Sequence, residues 1–100
     1  PEHLLKYFPQ KIINIHPALL PKYGGKGMYG MNVHKAVFKA KEKESGITIH
    51  TIDEEYDKGK IIFQKSVNIE SCNSPEEIAE IVLKIEHENF ARTIQEYLIK

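Results

Sequence analysis

Asn14 and His16 lie two residues apart at the end of a short apolar run, Lys11-Ile12-Ile13-Asn14-Ile15, which reads as a buried strand after Pro9. Side chains two apart on a strand leave the same face. Pro17 ends the strand, and in open α/β sheets the crevice beyond the carboxyl ends of strands is where ligands bind. An amide donor beside an imidazole suits acyl-type transfer: the amide holds a developing oxyanion and the imidazole moves protons. A histidine is apt for this because its reference pKa is about 6.5. The same pair also reads as strand-end residues that merely satisfy backbone groups. Asp57 is the next candidate, in the acidic turn Asp53-Glu54-Glu55-Tyr56-Asp57-Lys58-Gly59. A carboxylate near His16 would orient the ring and stabilise its charged form. Alternatively the run is a solvated loop between two strands.

The elements that must position these residues follow from pattern. Pro17 to Gly30 holds two prolines and four glycines, so regular structure cannot persist there. Asn32 is placed to cap a helix through about Ala40, with Val33, Ala36, Val37 and Ala40 on one apolar face. Gly46 to Ile52 is rich in β-branched residues and predicts a strand; Lys60 to Ile69 predicts another. Ser74-Pro75-Glu76-Glu77 is a helix start, with Ser as N-cap, Pro at the first position and Glu three residues after the cap. An apolar stripe then runs through Ile78, Ile81, Val82, Ile85, Phe90, Ile94 and Leu98. It loses phase near Glu86 to Asn89, which predicts a bend or a functional interruption. The order is β-loop-α-β-loop-β-α, an α/β arrangement.

Composition narrows the classes. The chain has 100 residues, about one small domain. Fourteen basic and fourteen acidic residues cancel, so no net field draws it to nucleic acid or an anionic membrane. No apolar run approaches the roughly 20 residues that span a bilayer, and the first residues have no signal-peptide core. Cys72 is the single cysteine, which excludes an intrachain disulfide and fits a reducing, cytoplasmic setting. His3, His34 and His87 show no ligand spacing with one another or with Cys72, so no metal is expected. Tyr7, Phe8, Phe63 and Phe90 read as core or edge aromatics. The chain opens at Pro1 without a methionine and predicts only three strands, which reads as a piece of something longer.

The run Asn14-Ile15-His16-Pro17-Ala18-Leu19-Leu20-Pro21-Lys22-Tyr23 closely resembles the signature of the phosphoribosylglycinamide formyltransferases, purine-biosynthesis enzymes that use 10-formyltetrahydrofolate. Ile47-Thr48-Ile49-His50 and Glu55-Tyr56-Asp57-Lys58-Gly59-Lys60-Ile61-Ile62 look like that family's second block, and Glu86-His87 matches a third. The resemblance runs from about Ile12 to Leu98, in order. Methionyl-tRNA formyltransferases share the first block but usually carry Arg-Gly after the Leu-Pro and lack a histidine where His50 stands. Formyltetrahydrofolate deformylases commonly differ around Pro17 to Leu20. Gly24 to His34 is longer and richer in glycine than the family's usual loop, so its contacts do not carry over by position. A mobile loop is favoured there over an anion-binding nest.

The resemblance implies the C-terminal half of a formyltransferase-type Rossmann-like sheet, with residues 1–100 forming the C-terminal part of one domain and its nucleotide-binding half absent. It implies that Asn14 binds the formyl oxygen, His16 transfers protons and Asp57 raises the pKa of His16. Asp53, Glu54, Glu55, Tyr56 and Asp57 would contact the folate's pterin head, Glu86 would hydrogen-bond the ribose of the glycinamide substrate, and His50 would support the site. The partners implied are 10-formyltetrahydrofolate, as formyl donor, and glycinamide ribonucleotide, with no metal, nucleic acid or membrane. The alternatives are a sister formyltransferase, a deformylase, or a non-catalytic module. The chain alone is expected to be inactive and to self-associate through open sheet edges.

Overall fold

The computed structural model describes residues 3–7, 11–53 and 60–98. Four strands, β1 (His3–Tyr7), β2 (Lys11–His16), β3 (Glu44–Asp53) and β4 (Ile61–Asn68), form one sheet with two helices, α1 (Met31–Lys39) and α2 (Pro75–Leu98). The strands lie in chain order, and every neighbouring pair is antiparallel. Short links enforce this: the connections β1–β2 and β3–β4 fall below the dozen or more residues that a parallel crossover needs. The α/β class matches the sequence reading, with β1 as an additional strand beside β2.

Alternation on β2 and β3 divides the sheet into two chemical faces. Ile13, Ile15, Ile47 and Ile49 are fully buried and join Val33 and Val37 of α1 with Ile78, Val82, Ile85 and Ile94 of α2 in one core. Each such side chain contributes about 1.5–3 kcal/mol on burial. Asn14, His16, Thr48 and His50 alternate with those isoleucines and leave by the other face. The register sets Asn14 opposite His50 and His16 opposite Thr48. A register shift against β4 falls between Ile49 and His50, a bulge of the kind that re-aims a side chain.

The helices differ from expectation in detail. Gly30, at φ 56°, precedes α1 without a side-chain cap; Asn32 lies inside the first turn, and its Nδ2 donates to the Gly27 carbonyl at 3.0 Å. The buried residues of α1 are Val33, His34 and Val37, while Ala40 is exposed. In α2 the Ser74 cap is present: the Glu77 backbone N–H donates to Ser74 Oγ at 3.2 Å. The helix then runs unbroken for 24 residues. Its apolar stripe changes chemistry, not geometry, because Glu86, Asn89 and Thr93 are themselves buried. Asn89 satisfies its amide locally, donating from Nδ2 to the Ile85 carbonyl at 2.7 Å and accepting from Arg92 at 3.0 Å. Among the described residues, no helix is long and apolar enough to cross a membrane.

Candidate active site

Asn14 and His16 are 3% and 4% exposed, and an amide and an imidazole this deeply buried need partners. Asn14 finds one across the strand pair, where its Nδ2 lies 2.9 Å from His50 Nε2. The other ring nitrogen, Nδ1, lies 3.4 Å from the Thr51 carbonyl oxygen. A carbonyl only accepts, so Nδ1 carries a proton, and Nε2 of the neutral ring accepts from Asn14. The amide keeps its second N–H for the site. Its Oδ1 is buried and has no hydrogen-bond partner among the described residues.

The segment after β2 folds back over this face and is clamped by Thr48. Its hydroxyl donates to the Ala18 carbonyl at 2.7 Å and accepts from the Leu20 N–H at 3.0 Å. Gln64 Nε2 reaches both Thr48 Oγ1 and the Leu20 carbonyl at 2.9 Å, and the Leu20–Pro21 peptide is cis. Three residues on, Tyr23 sits at φ 56°, a left-handed conformation that costs a residue with a side chain on the order of 1–3 kcal/mol. Its carbonyl accepts a hydrogen bond from His16 Nε2 at 2.7 Å. A carbonyl only accepts, so that contact assigns a proton to His16 Nε2. The Tyr23 hydroxyl donates to Glu42 Oε2 at 2.6 Å, and Lys22 Nζ approaches the same oxygen at 3.3 Å. The hydrogen bond to Glu42 pushes the Tyr23 phenol up to about 12, with burial and the Glu42 charge acting in the same direction. The same bond, followed by that of Lys22, holds the Glu42 carboxyl below its ordinary value.

His34, which sequence spacing passed over, belongs to this neighbourhood. It is 6% exposed on α1, and its Nδ1 is buried without a partner among the described residues. Burial pushes its pKa down, and the charge of nearby His16 lowers it further. The available signal was position: one residue after Val33, it follows the strand-end loop at the start of the next helix. Because the folded form resists protonation, the unfolded chain binds more protons just below pH 6.5. Stability should therefore fall as the pH drops through that value, by up to about 1.4 kcal/mol per unit. His34→Gln should flatten the change in unfolding free energy between pH 7 and pH 5.5, measured by urea denaturation. An identical pH dependence in both proteins would show that His34 is not held neutral.

The other expected site residues are placed unevenly. Asp53 ends β3 opposite Lys11, five strand positions from Thr48 and hence roughly 17 Å along the sheet from the His16 end. The expectations for Glu54, Glu55, Tyr56 and Asp57 lie outside the described residues. Glu86 is buried mid-way along α2, which packs on α1, β3 and β4. Among the described residues, no group of three or more His, Cys, Asp or Glu side chains could hold a metal ion.

Residues 1–94 match the family model described as formyl transferase. The chain is 48% identical over 94 residues to the chloroplastic phosphoribosylglycinamide formyltransferase of Arabidopsis thaliana, covering 94% of this chain and 32% of that protein. It is 39% identical to the phosphoribosylglycinamide formyltransferase of Bacillus subtilis, covering 95% of this chain and 46% of that protein. Among solved structures, the phosphoribosylglycinamide formyltransferase from Bacillus halodurans superposes with a TM-score of 0.72 at 34% identity, over 88% of this chain and 43% of that one. The enzyme from Brucella melitensis gives 0.71 at 32% identity, over 85% and 41%. The chain thus spans from a third to under half the length of these relatives. With a family match over nearly its whole length and the same fold in solved relatives, the chain belongs to the formyl transferase family.

Proposed function

We propose that the protein transfers a formyl group from 10-formyltetrahydrofolate to the primary amine of glycinamide ribonucleotide, a step of purine biosynthesis. The observation that carries this reading is the buried amide and imidazole side by side at the end of β2, within a formyl transferase chain. The second N–H of Asn14 is the donor for the formyl oxygen as it becomes an oxyanion. His16 supports that charge in its protonated form and exchanges its proton at Nδ1 while Nε2 stays on the Tyr23 carbonyl. The amine attacks the formyl carbon, the tetrahedral intermediate collapses with loss of the folate N10, and the proton shed by the amine goes to that leaving nitrogen. His50 holds the Asn14 amide in place. We further assign Asp57 to His16, Asp53 to Asp57 to the pterin head, and Glu86 to the substrate ribose, on the family resemblance of those positions. Residues 1–100 then form the C-terminal part of the domain, and the outer edges of β1 and β4 are where it would self-associate.

We place the reaction in the cytoplasm, on the strength of the single cysteine, Cys72, whose thiol is free. Three plant relatives are named chloroplastic. The test is an assay of this segment within a protein of its relatives' length. Consumption of 10-formyltetrahydrofolate should depend on glycinamide ribonucleotide and release no formate. Formate release without an amine acceptor would make the activity hydrolytic, and absence of turnover would leave a non-catalytic module; either result overturns the proposal.

A further inference from the structure

We propose that Glu42 is a positioning residue for His16, acting through Tyr23, and thereby fixes which ring nitrogen keeps its proton. The inference rests on the proton-transferring role given to His16 above.

Three observations support it. First, the contacts are continuous: His16 Nε2 lies 2.7 Å from the Tyr23 carbonyl oxygen, and the Tyr23 hydroxyl lies 2.6 Å from Glu42 Oε2. Second, Tyr23 holds the carbonyl in place from a backbone conformation, φ 56°, that carries an energetic cost for a residue with a side chain. Something must anchor it. Thr48 and Gln64 fix the chain as far as Leu20 and the Lys22 N–H donates to the Leu19 carbonyl at 3.1 Å, but beyond Tyr23 come Gly25, Gly27 and Gly30, all at positive φ. Third, packing supplies only part of the anchor: Tyr23 is partly buried against the core, but it is not closely packed all round. A cavity of about 180 Å³ adjoins the Tyr23 side chain, bordered by Val37, Glu42 and Ser45, so the ring has room to swing once its hydroxyl is released. The bond to Glu42, reinforced by Lys22, therefore fixes the free end of the Tyr23 side chain and completes the hold on its carbonyl against His16. With that carbonyl in place the ring cannot turn over, and Nδ1 stays on the reacting side.

The experiment reads the ring directly. In protein carrying ¹⁵N-histidine, the His16 Nε2 proton should give a slowly exchanging resonance, because it is buried and bonded to a carbonyl. Glu42→Ala and Tyr23→Phe should each accelerate its exchange by about tenfold or more, the change expected when a hydrogen bond to a charged acceptor is lost. Glu42→Gln keeps an acceptor for the Tyr23 hydroxyl and should restore slow exchange. In the protein of full relative length, Glu42→Ala should lower kcat by about tenfold, with KM for either substrate changed less than about twofold. Should Glu42→Ala fail to fold, Tyr23→Phe removes one oxygen atom and decides the matter. Unchanged exchange of the Nε2 proton in the folded variants overturns the proposal. His16→Ala tests the underlying role separately: full turnover without the ring would sink that role while leaving the exchange result to stand for the latch alone.

Discussion

Replacing His16 with alanine, or Asn14 with alanine, should each slow turnover by about 10²–10³-fold in the protein of full relative length, with much smaller changes in KM. That magnitude is typical for loss of one preorganised donor to a developing oxyanion. The interaction strengthens only as the formyl oxygen gains charge, so its loss falls on kcat more than on binding. The burial of both groups makes the effect large, because the field of a donor is weakly screened where water is excluded. Asn14→Ala also leaves His50 Nε2 without the amide that meets it, so circular dichroism and urea denaturation should accompany the kinetics. Asn14→Asp is the sharper variant: it keeps the shape, removes the donor and sets a negative charge where the oxyanion forms. Steady-state rates near those of the unaltered protein for His16→Ala would remove the ring from the mechanism.

Gly46→Ala should be the most damaging single methyl group in the sheet. A Cβ at this position would overlap the backbone carbonyl oxygen of Lys65 on β4 and approach Leu19 Cδ2 to 2.7 Å. The leucine could rotate away; the carbonyl belongs to a paired strand and could not. Overpacking of this kind costs about 1–3 kcal/mol, and a backbone obstacle puts it at the upper end or beyond. Against a total stability of about 5–15 kcal/mol for a typical domain, that is a large fraction. Urea denaturation should show a lowered midpoint at unchanged slope. Adding Leu19→Ala should recover little, since it removes only the minor obstacle. A midpoint equal to that of the unaltered protein would mean that β3 and β4 are not so closely apposed. Because Gly46 stands two residues before Thr48, a displaced β3 would also loosen the clamp on Ala18 and Leu20.

How much of this was legible in the sequence depends on the range of the interaction. Local signals read well. The Ser74-Pro75 start of α2 is written in four adjacent residues, and the shared face of Asn14 and His16 follows from strand periodicity alone. Features decided by partners distant in the chain did not read. The five residues of β1 mix charge, histidine and leucine, and they become a strand by pairing with β2. His34 enters the sequence reading only through ligand spacing with other histidines and Cys72, and its burial near His16 comes from the docking of α1. Glu86 to Asn89 read as a bend or a functional interruption because periodicity records hydrophobicity, not burial, and the polar Glu86 and Asn89 are buried. Thr48 was read as a β-former; its role as a clamp exists only where the loop comes back to meet it.

The ordering of the strands also has a kinetic side. Three residues (8–10) join β1 to β2 and seven (54–60) join β3 to β4, but 27 (17–43) separate β2 from β3. Closing the longer loop costs about 1 kcal/mol more than closing the seven-residue one, before α1 shortens it. Each hairpin can therefore zip on its own in microseconds, whereas the seam between β2 and β3 waits for the two hairpins to find each other. Asn14, His16, Thr48 and His50 all flank that seam. In pulse-labelled amide exchange during refolding, protection should reach the β3–β4 pairing before it reaches the β2–β3 pairing, so the Asn14–His50 contact forms among the last in the sheet.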